Sequence, residues 1–286
     1  MGNANPTTHV LDVPGARLQY DVRGAGPLLL MIGAPMGSRG FTAIAELLAD
    51  EYTVVTYDPR GILRSTLDDP TQDATPELLA DDVHRLVSEL DAGPAYVFGN
   101  SGGAVTGVAL VSRHPEQVRV LVAHEPPLAE LLPDSEQVRA TIAEVCDTYA
   151  RDGRDAALKK YTAMTDIGFS SRRGGQIGQQ ETPDPESFTP PTDVRAILDR
   201  FFRHILRPTT LYRPDLAALR AASTRIVVAG GIASKGQLYQ RTAVALADHL
   251  GTAIVDFPDD HTGFQAQPEP FARLLHQVFT ETTGEY

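Results

Sequence analysis

A serine attacks a carbonyl efficiently only where its hydroxyl stands in the open beside a base, and one short run of this chain has the shape for that. Gly99-Asn100-Ser101-Gly102-Gly103 follows an apolar run at 95–98 and precedes a helical pattern at 103–113. This is G-x-S-x-G between a strand and a helix, the context of a nucleophile elbow. Small residues two before and two after Ser101 let strand and helix approach closely enough to force a sharp turn, which lifts the hydroxyl to the strand's carboxyl end. The helix that follows aims its amino terminus at developing negative charge. Outside that context the same run is a glycine-rich turn.

The base must come later, beyond the last strand, and His261 fits: it sits in Phe257-Pro258-Asp259-Asp260-His261-Thr262-Gly263-Phe264, between a strand pattern and the final helix. His84, His114, His249 and His276 fall on or at the ends of helical patterns, His204 falls on another, and His9 is near the N-terminus. The commonest position for the third member, an acid, is the loop after strand 225–229, yet that loop reads Gly230-Gly231-Ile232-Ala233-Ser234-Lys235-Gly236 and has no carboxylate. Its Ser-Lys-Gly order also differs from the Gly-Lys-Ser/Thr of a phosphate-binding loop. Asp259 and Asp260 are too near His261 in sequence to orient its ring easily, and Asp256 reads as structural. Glu125, directly after strand 118–123 in Val122-Ala123-His124-Glu125-Pro126-Pro127, is the remaining candidate. From there a carboxylate can reach the distal nitrogen of a histidine over the sheet's edge, fixing its tautomer and stabilising the imidazolium. Its alternative role is an ion pair or cap at the start of the next segment. The oxyanion hole is expected from the backbone N–H of Gly102 and that of Ala34, in Ile32-Gly33-Ala34-Pro35.

These residues need a scaffold that brings strand ends together. Extended segments at 9–13 and 17–22, separated by Pro14-Gly15, read as an antiparallel hairpin. Apolar runs at 28–32, 53–57, 95–98, 118–123, 225–229 and 252–257 then alternate with helical patterns at 41–48, 76–90, 103–113, 237–250 and 270–278. Runs this apolar belong to strands covered on both faces, so the expected class is α/β with a mostly parallel eight-stranded sheet and helices on both sides. The alternation breaks once. Residues 1–125 and 214–286 are expected to form the core, and 126–213 a helical cap inserted after the sixth strand. In the cap, a helix at 193–206 places Val194, Ile197, Leu198, Phe201, Phe202 and Ile205 on one stripe. Most of that stripe should pack on the main domain; Phe201, Phe202 and Ile205 are the candidates to touch substrate. Segments 170–178, rich in Gly and Ser, and 182–191, rich in Pro, read as a lid or as surface loops.

Bulk properties narrow the partners. With 37 Asp and Glu against 25 Lys and Arg, the formal charge of −12 disfavours nucleic acid and anionic membranes and favours a neutral or weakly charged ligand. Cys146 is the only cysteine, so no disulfide can form within the chain and nothing implies an oxidising compartment. The first ten residues have neither a basic region nor an apolar core, and no apolar stretch approaches the roughly 18 residues of a membrane span. A cytoplasmic location is expected, and oligomeric state is not legible.

Together these residues resemble the α/β-hydrolase superfamily over nearly the whole chain, with Tyr57-Asp58-Pro59-Arg60-Gly61 and Arg64-Ser65 looking like its loop after the fourth strand. There Asp58 and Arg60 are expected to brace the loop. The acid segment Ala123-His124-Glu125-Pro126-Pro127 looks like that of zearalenone-type lactone hydrolases and related macrolide esterases. The resemblance implies Ser-Glu-His chemistry on a hydrophobic ester or macrolactone, with no metal or organic cofactor. Where the family usually has His-Gly before the oxyanion residue, this chain has Ile32-Gly33. Ser101 also sits where dehalogenases and epoxide hydrolases use an aspartate. The rival expectations are a cofactor-independent dioxygenase of the same fold and a ligand receptor or biosynthetic protein that retains the triad.

Overall fold

The computed structural model describes residues 5–167 and 192–281. The segments 170–178 and 182–191 lie outside the described residues. In chain order the strands are β1 (Thr7–Val13), β2 (Ala16–Arg23), β3 (Leu28–Ala34), β4 (Thr53–Tyr57), β5 (Thr66–Leu67), β6 (Ala95–Ser101), β7 (Val118–His124), β8 (Arg225–Gly231) and β9 (Val255–Phe257). The helices are α1 (Thr42–Leu48), α2 (Pro76–Leu90), α3 (Gly102–Arg113), α4 (Ser135–Asp152), α5 (Arg154–Thr165), α6 (Thr192–Arg200), α7 (Leu206–Thr210), α8 (Leu216–Ala221), α9 (Leu238–Leu250), α10 (Gly263–Ala266) and α11 (Pro268–Thr280).

The sheet runs β1-β2-β4-β3-β6-β7-β8-β9, antiparallel across its first two pairings and parallel from β4 onward. This is the expected eight-stranded sheet with one addition, the two-residue β5 paired to β2. Strand β9 is shorter than the pattern at 252–257 suggests: its ladder with β8 begins at Ala229↔Val255, so the preceding residues have no partner to hold them extended. Strands β3 and β6 are buried along almost their full lengths because helices cover both faces. One apolar cluster joins the sheet to α2, α3 and α9. On the other face Phe41, Phe98, Phe264 and Phe271 interlock beneath α1 and α11.

A third apolar cluster sits beyond the strand ends, where Val138, Ile142 and Val145 of α4 and Tyr161 of α5 meet Leu198, Phe201, Phe202 and Ile205. The helix expected at 193–206 is not continuous. It is α6, then a π-helical turn (Phe201–Ile205), then α7. Pro208 supplies the reason: it has no N–H for the carbonyl four residues earlier, and its ring would crowd that carbonyl. The carbonyl in question, that of His204, instead accepts from the Ala74 backbone N–H at 2.9 Å. A wider turn accommodates the displaced backbone. Asp58 and Arg60 are braces, as expected. Asp58, fully buried, accepts from the Ser38 backbone and hydroxyl at 2.8 Å each, and Arg60 makes a buried ion pair with Asp82.

Candidate active site

Strand β6 ends on Ser101, which has φ +57° and ψ −125°, and α3 begins at the next residue. A non-glycine residue in that region is strained by about 1–3 kcal/mol, and surroundings that over-determine it must hold it there. Here they are backbone contacts on both sides of the turn. A methyl group at Gly103 would overlap the Ile32 carbonyl, and one at Gly99 would sit 2.7 Å from the Gly103 carbonyl oxygen. Helix α3 therefore packs directly on β6 and β3, and Ala34 stands in register beside Ser101. Gly102 approaches Ala34 closely enough that a Cβ would come within 2.5 Å of its carbonyl oxygen. The two residues expected to form the oxyanion hole are neighbours lining one cavity with Ser101.

Glu125 leaves β7 at φ +48°, its N–H still bonded to the Ala229 carbonyl at 2.9 Å. That turn sends the side chain across the end of β8. One carboxylate oxygen meets His261 Nδ1 at 2.6 Å and the other accepts the Gly231 N–H at 2.9 Å. Both side chains are buried, at 1% and 8% exposure. Burial by itself would raise the Glu125 pKa. The hydrogen bond and charge of His261, the neighbouring His124 ring and the Gly231 N–H outweigh it and hold the carboxyl down at about 2. An ionised carboxylate on Nδ1 orients the ring so that Nε2 faces away from the glutamate. Ser101 and His261 line the same cavity, and no hydrogen bond joins their side chains.

The other carboxylates near His261 are engaged elsewhere. Asp256 is 41% exposed and paired with Lys235 at 2.7 Å, Asp260 accepts from the Thr262 backbone and hydroxyl, and Asp259 accepts from Gln267. Sequence reasoning passed over Gly231. A side chain there would strike the Asp259 and Asp260 backbone at 2.6–2.8 Å, so a glycine lets the His261 loop close down while its N–H holds Glu125. The Gly230-Gly231 pair, exactly where an acid was sought, was the available signal. Also missed were Asn100 and His124, which share a hydrogen bond at 2.8 Å beneath the elbow. Full burial among Phe98, Phe257 and Phe271 depresses the His124 pKa to about 4, keeping that ring neutral.

The cavity has a volume of about 340 Å³, within the usual range for small-molecule sites. Its walls are mostly apolar, with Met36, Phe264, Val194, Ile197, Phe201 and Ile205 among them. Of the three residues expected to touch substrate, Phe201 and Ile205 line the cavity and Phe202 does not. It is not part of the wall; its ring stacks on Tyr149, with centroids 5.5 Å apart, because adjacent helix residues point about a quarter-turn apart. Among the described residues no cluster of His, Cys, Asp and Glu could hold a metal ion, and no helix is long and apolar enough to cross a membrane.

Comparison with known proteins places this geometry in a wider set. The model of the alpha/beta hydrolase fold matches residues 26–164. The uncharacterized hydrolase YraK of Bacillus subtilis (strain 168) is 36% identical over 273 residues, covering 94% of each chain. The zearalenone hydrolase of Bionectria ochroleuca is 30% identical over 117 residues, which is 40% of this chain and 44% of the relative. Among solved structures, a thermophilic esterase from Thermogutta terrifontis superposes with a TM-score of 0.68 at 21% identity, covering 96% of this chain and 98% of the other.

Proposed function

The chain belongs to the α/β-hydrolase family, and on that footing we propose that it is a serine hydrolase cleaving a carboxylic ester or lactone of a hydrophobic small molecule through an acyl-enzyme. The observation that carries this reading is the buried 2.6 Å contact between Glu125 and His261 Nδ1, at a cavity that Ser101 also lines. In this reading Ser101 Oγ attacks the carbonyl while His261 Nε2 takes its proton. The ionised Glu125 stabilises the imidazolium, and Gly102 and Ala34 donate their N–H groups to the oxyanion. Collapse of the tetrahedral intermediate breaks the acyl–oxygen bond, and His261 returns the proton to the departing alkoxide. Water then repeats the sequence in reverse roles and frees Ser101. Residues 126–213 act as a cap over the core of 1–125 and 214–286, and its apolar inner wall selects hydrophobic substrates. Partial similarity to a zearalenone hydrolase favours a lactone or a bulky ester within that class.

The test is a screen of p-nitrophenyl esters and macrolactones with wild type, Ser101→Ala, Glu125→Gln and Asp256→Asn. Ser101→Ala should lower kcat/KM by roughly 10⁴-fold or more, Glu125→Gln by roughly 10²- to 10⁴-fold, and Asp256→Asn should stay near wild type. Full activity in Glu125→Gln with loss in Asp256→Asn would overturn the assignment of the acid.

A further inference from the structure

The residue before the proposed nucleophile is bound to the residue before the proposed acid. Asn100 precedes Ser101 and His124 precedes Glu125; the two stand in register across β6 and β7, and His124 Nδ1 lies 2.8 Å from Asn100 Oδ1. His124 is fully buried against Phe98, Phe257 and Phe271. Its other ring nitrogen, Nε2, is sealed from solvent and has no hydrogen-bond partner among the described residues.

That orphaned nitrogen decides which way the Asn100 amide faces. A neutral imidazole carries one proton, and burial keeps this ring neutral by depressing its pKa to about 4. On Nε2 the proton would form a buried N–H with nothing to accept it; on Nδ1 it is donated to Asn100. The proton therefore sits on Nδ1, and the oxygen end of the amide is the end that receives it. The NH2 end is turned the other way. It makes no hydrogen bond among the described residues, yet it is not one of the sealed, unpartnered atoms. Strands β3 and β7 flank Asn100 on both sides, and its remaining 5% exposure opens onto the cavity that it lines together with Ser101.

We propose that the Asn100 amide NH2 is a substrate-binding donor on the cavity floor, taking an ether, hydroxyl or keto oxygen that the substrate carries within a few bonds of its scissile carbonyl. Adjacent Cα atoms are about 3.8 Å apart, so a donor on the neighbour of Ser101 meets the part of the substrate next to the attacked carbon. This inference rests on the hydrolytic reading above and narrows its substrate class to esters or lactones oxygenated close to the ester group. A hydrocarbon chain at this spot leaves the amide unpaired, and that discriminates more strongly than an apolar wall does by size.

The experiment uses two series of aliphatic esters, ethyl octanoates and octyl acetates, in which one methylene of the long chain is replaced by an ether oxygen. The oxygen stands either two methylenes from the ester group or one methyl from the chain end, so the near and far isomers share one composition. Acid release is titrated at constant pH, and each kcat/KM is divided by the ester's own hydroxide-catalysed rate. Wild type should favour the near isomer by about three- to tenfold in at least one series. Asn100→Asp keeps the size of the side chain and an acceptor for His124 but removes the donor, so its near-to-far ratio should fall to one or below; Asn100→Leu should bring it to one. A merely structural role would lower both isomers alike and leave the ratio where it was. A wild-type ratio near one in both series, or a ratio retained in Asn100→Asp, overturns the proposal. Calorimetry on Ser101→Ala with the same isomers separates this from the hydrolytic reading. Preferred binding of the near isomer without hydrolysis by wild type would sink the hydrolytic reading and leave the donor standing, whereas hydrolysis of both isomers at equal rates would sink the donor alone.

Discussion

At the scale of single residues, the place of the proposed acid goes with what stands at the end of β8, where an acid was first sought. Glu125 reaches His261 from the end of β7, and the end of β8, free of a carboxylate, contributes a backbone N–H in its place. Gly231→Ala should therefore lower kcat by about 10-fold or more, because its methyl group would push on the backbone that carries His261. Steady-state kinetics alongside a thermal melt would separate this from unfolding. The two buried titrating neighbours also predict acid instability in two windows. Unfolded His124 takes a proton near pH 6.5 and the native ring resists until about 4, so stability present above 6.5 falls as the pH drops through that interval. Unfolded Glu125 protonates near 4.5 and the native carboxyl near 2, so its contribution is lost between those values. Each proton changes stability by about 1.4 kcal/mol per pH unit within its window. Denaturant titrations at a series of pH values should show His124→Gln losing the upper slope and Glu125→Gln the lower. Unchanged slopes in both variants would refute the assignment.

At the scale of elements, the stripe on α6 and the π turn divides between two tasks. Phe201 faces the cavity and also meets Tyr161 edge-on, with centroids 5.2 Å apart, while Phe202 packs between Tyr149 and Tyr161. Phe201→Ala should raise KM for bulky apolar esters more than it lowers stability. Phe202→Ala should cost about 3–5 kcal/mol of stability with a smaller change in KM. Kinetics on a short and a bulky ester, paired with chemical denaturation, would check both. Equal effects from the two substitutions would mean that the ring directions are wrong. The stripe was legible from spacing, and so was the elbow, since its glycines are demanded by local backbone contact. The irregular turn ahead of Pro208 could have been foreseen from the missing N–H, but the donation of the Ala74 N–H to the freed His204 carbonyl is a long-range event that periodicity does not carry.

At the scale of the whole molecule, charge and sheet order matter most. A chain of net charge −12 repels anions at a distance, and salt screens that repulsion. The kcat/KM for a neutral ester should be nearly flat with ionic strength, whereas that for an anionic ester of the same acyl group should rise as salt is added. A fall with salt for the anionic ester would point to a local cationic site. The ends of the long insertion are drawn together as well. Glu130, just past β7, accepts from Arg139 of α4 and from Arg213, just before α8. Such a tie keeps the segment's two attachments close at the carboxyl edge of the sheet, where Ser101 and His261 lie.

By itself the sequence determined the α/β class, the order of strands and helices, Ser101 at its elbow and the position of His261 in the last loop. Each of these follows from local pattern: apolar runs of strand length, helical spacing, and glycines where backbones touch. Tertiary structure alone decided which groups meet across the chain. Glu125 and His261, 136 residues apart, are brought within 2.6 Å by the parallel pairing of β7, β8 and β9. Likewise the pairing of Tyr161 with Tyr239 and the turning away of Phe202 from the cavity depend on how helices pack above the sheet. Packing of that kind is set by the sum of many weak contacts between distant segments, which no local spacing encodes.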